Sequence, residues 1–152
     1  MSAPAVVTDF SPVPAPPPGM RIGIDLVEVA RIAESVRAFG DRFTRRLFAP
    51  GELRDSTVAG RLDAGLLALR FAAKEAAIKA FDLSDVGIAW SQIELTECAE
   101  SSGRLRLHGR AAESAARLGV YEIAVSSSQD DGLACAVVVA LPSAHAPQQQ
   151  RT

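Results

Sequence analysis

The chain has 152 residues, 48% of them hydrophobic, which is the length of one domain and enough apolar material for one core. Sixteen lysines and arginines against 18 aspartates and glutamates give a formal net charge of -2, which argues against bulk binding to nucleic acid, and Trp90 and Tyr121 stand alone as aromatics other than phenylalanine. Cys98 and Cys135 form no zinc-ligand spacing, and no run of about eighteen apolar residues could cross a membrane, so a cytoplasmic location is expected.

Residues 1–19 hold six of the nine prolines, including Pro16, Pro17 and Pro18, and predict a disordered tail, with Met20 as an alternative start. A second tail is expected at 142–152, which leaves a working domain at 20–141. Ile22, Ile24 and Leu26 then alternate with Gly23 and Asp25, the period of a strand with one apolar face and Asp25 pointing away from it. Val29, Ile32, Ala33 and Val36 recur at helical spacing over 27–39 and put Arg31 near the opposite side. With Arg37, Arg42, Arg45 and Arg46 it makes an early basic cluster that suggests an anionic partner.

A short helix over 43–48 is expected to break at Pro50 and Gly51. A long one follows at 61–81, with a core stripe of Leu62, Leu66, Leu69, Ala73, Ala76 and Ala80 and with Glu75 and Lys79 on the far side. Phe71 and Ile78 lie off that stripe, so the helix is apolar on more than one side, and a subunit interface is expected to cover the excess. The remainder predicts a strand at 88–96, a turn at Gly103, a short strand with Leu105 and Leu107, and a helix at 109–118 stopped by Gly119. Strands at 120–126 and 133–141, joined by a turn at 127–132, close an α+β fold.

Two segments stand out, Gly23-Ile24-Asp25-Leu26-Val27-Glu28-Val29-Ala30-Arg31-Ile32 and Arg70-Phe71-Ala72-Ala73-Lys74-Glu75-Ala76-Ala77-Ile78-Lys79-Ala80-Phe81, with Arg42-Phe43-Thr44-Arg45-Arg46-Leu47-Phe48 leading to Glu52 between them. In order and spacing, from about Arg21 to Leu141, they resemble the holo-acyl-carrier-protein synthase family of 4'-phosphopantetheinyl transferases. The resemblance implies a compact α+β subunit assembled as a homotrimer. It also implies Mg2+-dependent transfer of 4'-phosphopantetheine from coenzyme A to a serine of an acyl carrier protein of fatty-acid, polyketide or related synthesis, with release of 3',5'-ADP.

By the same resemblance Asp25 and Glu75 are metal ligands, and as hard carboxylate donors they suit Mg2+. Glu75 is the base for the serine hydroxyl, directly or through a metal-bound water, and Lys79 neutralises the bridging phosphates. Arg70 and Lys74 bind the remaining phosphate oxygens, Ser128 and Gln129 contact coenzyme A, and Arg31, Arg42 and Arg46 dock an acidic recognition helix of the carrier. On pattern alone, a helix N-cap is the better reading of Asp25 and an exposed pair on a helix surface the better reading of Glu75 with Lys79, and only the joint match to the family reverses this. Two departures from the family pattern stand out. Gln129, in Ser126-Ser127-Ser128-Gln129, occupies a position where the family usually has histidine, and Asp82-Leu83-Ser84-Asp85 replaces a glycine-rich turn. They leave open a second reading, a module that binds coenzyme A or a carrier protein without transfer.

Overall fold

A computed structural model describes residues 18–99 and 102–142. The tails expected at 1–19 and 142–152 therefore lie outside the described residues, apart from Pro18, Gly19 and Pro142. In chain order the elements are β1 (Arg21–Glu28), α1 (Val29–Phe39), α2 (Asp41–Leu47), α3 (Pro50–Asp55), β2 (Thr57–Val58), β3 (Arg61–Leu62) and α4 (Ala64–Phe81). A single 3-10 turn (Trp90–Gln92), β4 (Ile93–Ala99), β5 (Ser102–Leu107), α5 (Gly109–Arg117), β6 (Val120–Asp130) and β7 (Leu133–Pro142) complete them. Five strands make one antiparallel sheet in the order β1-β7-β6-β5-β4, while β2 and β3 form a separate small hairpin.

The central helix α4 begins where Asp63 caps it, the carboxylate accepting from the Leu66 N–H at 2.8 Å. Leu62 is thereby left in β3 rather than on the expected stripe. Leu67, Ala68, Ala72, Ala73, Ala76 and Ala77 are fully buried, because β1 and β7 cover one side of the helix and α1 and β4 pack on others. Phe71 and Ile78, the residues expected to need cover from another subunit, are only partly buried within the chain. Pro50, expected to break structure, instead opens α3 at its first turn, where a missing N–H costs nothing. Gly103 lies inside β5 rather than in a turn.

The first strand alternates as expected, with Asp25 on the face opposite Ile22, Ile24 and Leu26, and it is the apolar face that turns away from the helix. Ile22, Ile24 and Leu26 are 57%, 58% and 61% exposed, and Gly23, Asp25 and Val27 face α4. A two-residue period says that faces alternate but not which one is buried. The choice is made by Gly23, because a Cβ there would lie 1.8 Å from the Ala76 carbonyl oxygen, so only a residue without a side chain lets the helix approach this closely. Register with β7 sets Ile22 against Val139, Ile24 against Val137 and Leu26 against Cys135, and the outward face of the sheet is an apolar surface two strands wide.

The last hairpin is tighter than expected. Asp131 and Gly132, with φ of 45° and 75°, form a two-residue turn of the kind Asp-Gly favours, so Ser127 to Asp130 belong to β6. Strand alternation then sends Ser127 inward, where it is 7% exposed, and Ser128 to the outward face opposite Cys135.

Candidate active site

The facing of β1 is what brings these side chains together. Asp25 is pointed at α4, where Lys79 donates to its Oδ1 at 2.7 Å and to the Ile24 carbonyl at 3.0 Å. It does not cap α1, whose N-cap is Glu28 with no side-chain bond. Glu75, one helical turn before Lys79, is half-buried and shares with Asp25 a cavity of about 420 Å³ whose walls include Glu28, Arg31, Phe43 and Phe71. Burial raises the Glu75 pKa, the negative charge of Asp25 raises it further, and Lys79 opposes both. Lys79 is itself held above its usual value, chiefly by the hydrogen bond to Asp25. Lys79 is bonded to Asp25 and acts on Glu75 through its charge alone, and burial beside Asp25 makes Glu75 a stronger base than an ordinary glutamate.

Among the described residues no cluster of three or more histidine, cysteine or acidic side chains could hold a metal alone. An acidic pair nevertheless fits Mg2+, which takes one or two carboxylates and fills its other positions with phosphate oxygens and water. Asp25 and Glu75 on one cavity wall, with Lys79 bonded to Asp25, are such a donor set.

A second cavity, about 270 Å³, opens on the other side of Glu75 and is lined by Ile78, Leu83, Ser84, Gly87 and Trp90. Phe71, on the wall of the first cavity, and Trp90, on the wall of the second, stack with ring centroids 5.2 Å apart and planes 20° from parallel, a partition made of one ring from each wall. Sequence reasoning singled out neither ring as a site residue. A helical turn of separation between Phe71 and Glu75 was the available signal.

Asp82, the first residue of the segment expected to replace a glycine-rich turn, is the C-cap of α4 in the left-handed region, φ 56° and ψ 48°, and is exposed. Left-handed backbone is strained for a residue with a Cβ. Asp82→Gly is accordingly expected to stabilise the fold by about 1 kcal/mol, read from chemical denaturation, and an unchanged midpoint would show that Asp82 carries no strain.

Other expected site residues lie elsewhere. Lys74 is a correction: its side chain is fully buried, 2.7 Å from the equally buried Glu52, so no phosphate of coenzyme A can reach it. Burial lowers its pKa, with Glu52 opposing. Arg70 is likewise sealed, at 2% exposure, with Nη1 donating to the Leu66 carbonyl. A helix enclosed on nearly every side sends cations inward as well as outward, and this is where the motif spacing misled.

Ser128 lies on the outward sheet face. Gln129 rests on Gly65, where a Cβ would fall 2.4 Å from its Oε1, ten residues and about 15 Å along α4 from Glu75. Within one subunit neither joins Asp25, Glu75 and Lys79. Arg31 lines the cavity of Asp25 and Glu75, and Arg42 and Arg46 are exposed on α2, where Arg45 is instead paired with Asp41 at 3.0 Å.

Comparison with known proteins shows the family and the fold. A family model for the 4'-phosphopantetheinyl transferase superfamily matches residues 21–138. The holo-[acyl-carrier-protein] synthase of Edwardsiella ictaluri is 45% identical over 121 residues, covering 78% of this chain and 94% of the relative. The solved coenzyme A complex of the Helicobacter pylori holo-[acyl-carrier-protein] synthase superimposes with a TM-score of 0.65 at 30% identity, over 79% of this chain and 99% of that one. A Chronobacterium ammoniagenes ACPS-CoA complex gives a TM-score of 0.69 at 28% identity, over 81% and 97%.

Proposed function

The chain belongs to the 4'-phosphopantetheinyl transferase superfamily, and from that premise we propose that it moves 4'-phosphopantetheine from coenzyme A to a serine of an acyl carrier protein. The observation that carries the reading is Asp25 bonded to Lys79 with Glu75 on the same cavity wall. Glu75, with its raised pKa, takes the serine proton. The serine oxygen forms a bond to the β-phosphorus, the bond from that phosphorus to the bridging oxygen breaks, and 3',5'-ADP leaves with the electron pair. Lys79, half-exposed and anchored by Asp25, faces the developing charge on the departing phosphate. Mg2+ held by Asp25 and Glu75 would add Lewis-acid stabilisation of the pyrophosphate.

The test is incubation with coenzyme A, Mg2+ and a panel of apo carrier proteins, followed by mass measurement of the carrier. A phosphopantetheine increment is expected on at least one. Coenzyme A binding without an increment on any carrier would leave only the binding-module reading.

Carrier docking falls to Arg31 at the cavity wall and to Arg42 and Arg46 on the neighbouring helix, none of which has an ion-pair partner among the described residues. Reversing the charge at any of the three is expected to raise the KM for the carrier about threefold to fivefold, with little change in the KM for coenzyme A and a smaller effect at high salt. Equal effects on both substrates would count against docking. The outward face of β1 and β7 supports the homotrimer, since Ile22, Ile24 and Leu26 are uncovered in the subunit, and sedimentation in solution reads the assembly directly.

A further inference from the structure

Lys74 and Glu52 have no surface for a substrate, yet they join four parts of the fold beside the site. Lys74 Nζ donates to Glu52 Oε2 at 2.7 Å, to the Trp90 carbonyl at 3.2 Å and to the Ile93 carbonyl, and it stands 5.7 Å from the centre of the Phe48 ring. Glu52 in turn accepts from the Ala49 N–H at 2.8 Å and from the Leu95 N–H at 3.0 Å. One ammonium and one carboxylate thus pin the start of α3, the 3-10 turn and the first residues of β4 to the middle of α4.

Among these attachments, the bond to Trp90 bears on the chemistry. Its backbone is held by Lys74, and its ring is stacked on Phe71. Phe71 borders the cavity shared by Asp25 and Glu75, and Trp90 borders the cavity on the other side of Glu75. Lys74 also precedes Glu75 directly on α4, so the bonds that anchor it fix the rotation of the helix that presents Glu75.

We propose that Lys74 and Glu52 are a positioning pair for Glu75, holding the Phe71–Trp90 partition that walls both spaces next to it. Its consequence for catalysis rests on the transfer reading above. A buried ion pair is an unusual means of holding a wall, because it must be kept fully bonded to be tolerated. Here the remaining capacity of both partners is used by backbone groups of the segments they fix.

The double variant Lys74→Met/Glu52→Gln removes both charges at similar volume and takes from the Trp90 and Ile93 carbonyls the donor that holds them. Trp90 is the only tryptophan of the chain, so its emission reports the partition. A red-shifted emission is expected, together with a kcat about tenfold or more below wild type and a KM for coenzyme A within about twofold. Wild-type emission and kcat would overturn the proposal. A change confined to the KM for coenzyme A, with emission unaltered, would also overturn it and return Lys74 to phosphate binding.

Should the double variant not fold, Trp90→Ala removes the ring and leaves the pair intact. The same loss of kcat is expected there, and wild-type kcat would overturn the proposal. Absence of transfer by the wild-type protein would remove the transfer reading instead, and the emission comparison, which needs no turnover, would still decide whether the pair holds Trp90.

Discussion

Glu75→Gln is expected to lower transfer by about a thousandfold, within the range that a general base contributes, while leaving the protein folded and no less stable than wild type. The stability half of that expectation follows from the direction of its pKa. A carboxyl raised in the folded state by burial and by Asp25 is harder to ionise there than in the unfolded chain. Ionised Glu75 therefore burdens the fold at neutral pH, and the burden disappears as pH falls through the raised pKa toward the ordinary value of 4.5.

Glutamine carries no such charge. Measured with a chelator present, the thermal midpoint of Glu75→Gln should equal or exceed that of wild type at pH 7, and the two should converge below pH 4.5. Asp25→Ala should abolish transfer as well, because it removes both a carboxylate from the cavity and the anchor of Lys79. Near-normal activity in either variant would sink the mechanism.

Gly23→Val is expected to prevent stable folding, and even Gly23→Ala should lower stability by about 3 kcal/mol or more. A Cβ at this position would lie 1.8 Å from the Ala76 carbonyl oxygen, 2.8 Å from its carbon and 2.9 Å from the Ala80 nitrogen. These atoms are helix backbone and cannot swing aside as the tip of a side chain would. Relief requires α4 to lift from the sheet, which would expose Ala72, Ala73, Ala76, Ala77 and Ala80 and separate Lys79 from Asp25. Circular dichroism and thermal unfolding would read the first consequence and transfer the second. A native melting curve for Gly23→Ala would show that the helix and strand are not in fixed contact.

Much of the proposed catalytic set is legible in the sequence, because Asp25 sits in an alternating strand and Glu75 and Lys79 one turn apart on a helix, and both patterns survive in the fold. What those patterns lack is phase. Alternation around Asp25 cannot say that Ile22, Ile24 and Leu26 turn outward, since the deciding contact is between Gly23 and a carbonyl more than fifty residues away. α4 is apolar nearly all round, so its sequence does not reveal that Arg70 and Lys74 point inward.

The partner that makes the burial of Lys74 tolerable, Glu52, lies 22 residues away with no local signal linking the two. The course of β6 through Ser127 to Asp130 was readable in principle, because Asp131-Gly132 is a strong two-residue turn signal. Choosing the longer turn hid the opposite orientations of Ser127 and Ser128.

The uncovered row Ile22, Ile24 and Leu26, backed by Val137 and Val139, has a thermodynamic consequence for the proposed homotrimer. If identical subunits bury that row, association and folding are linked by mass action, and the melting temperature rises with protein concentration. Dilution would then strip apolar cover from β1, the strand that carries Asp25, so that specific activity would fall along with the population of assembled subunits rather than remain constant per molecule.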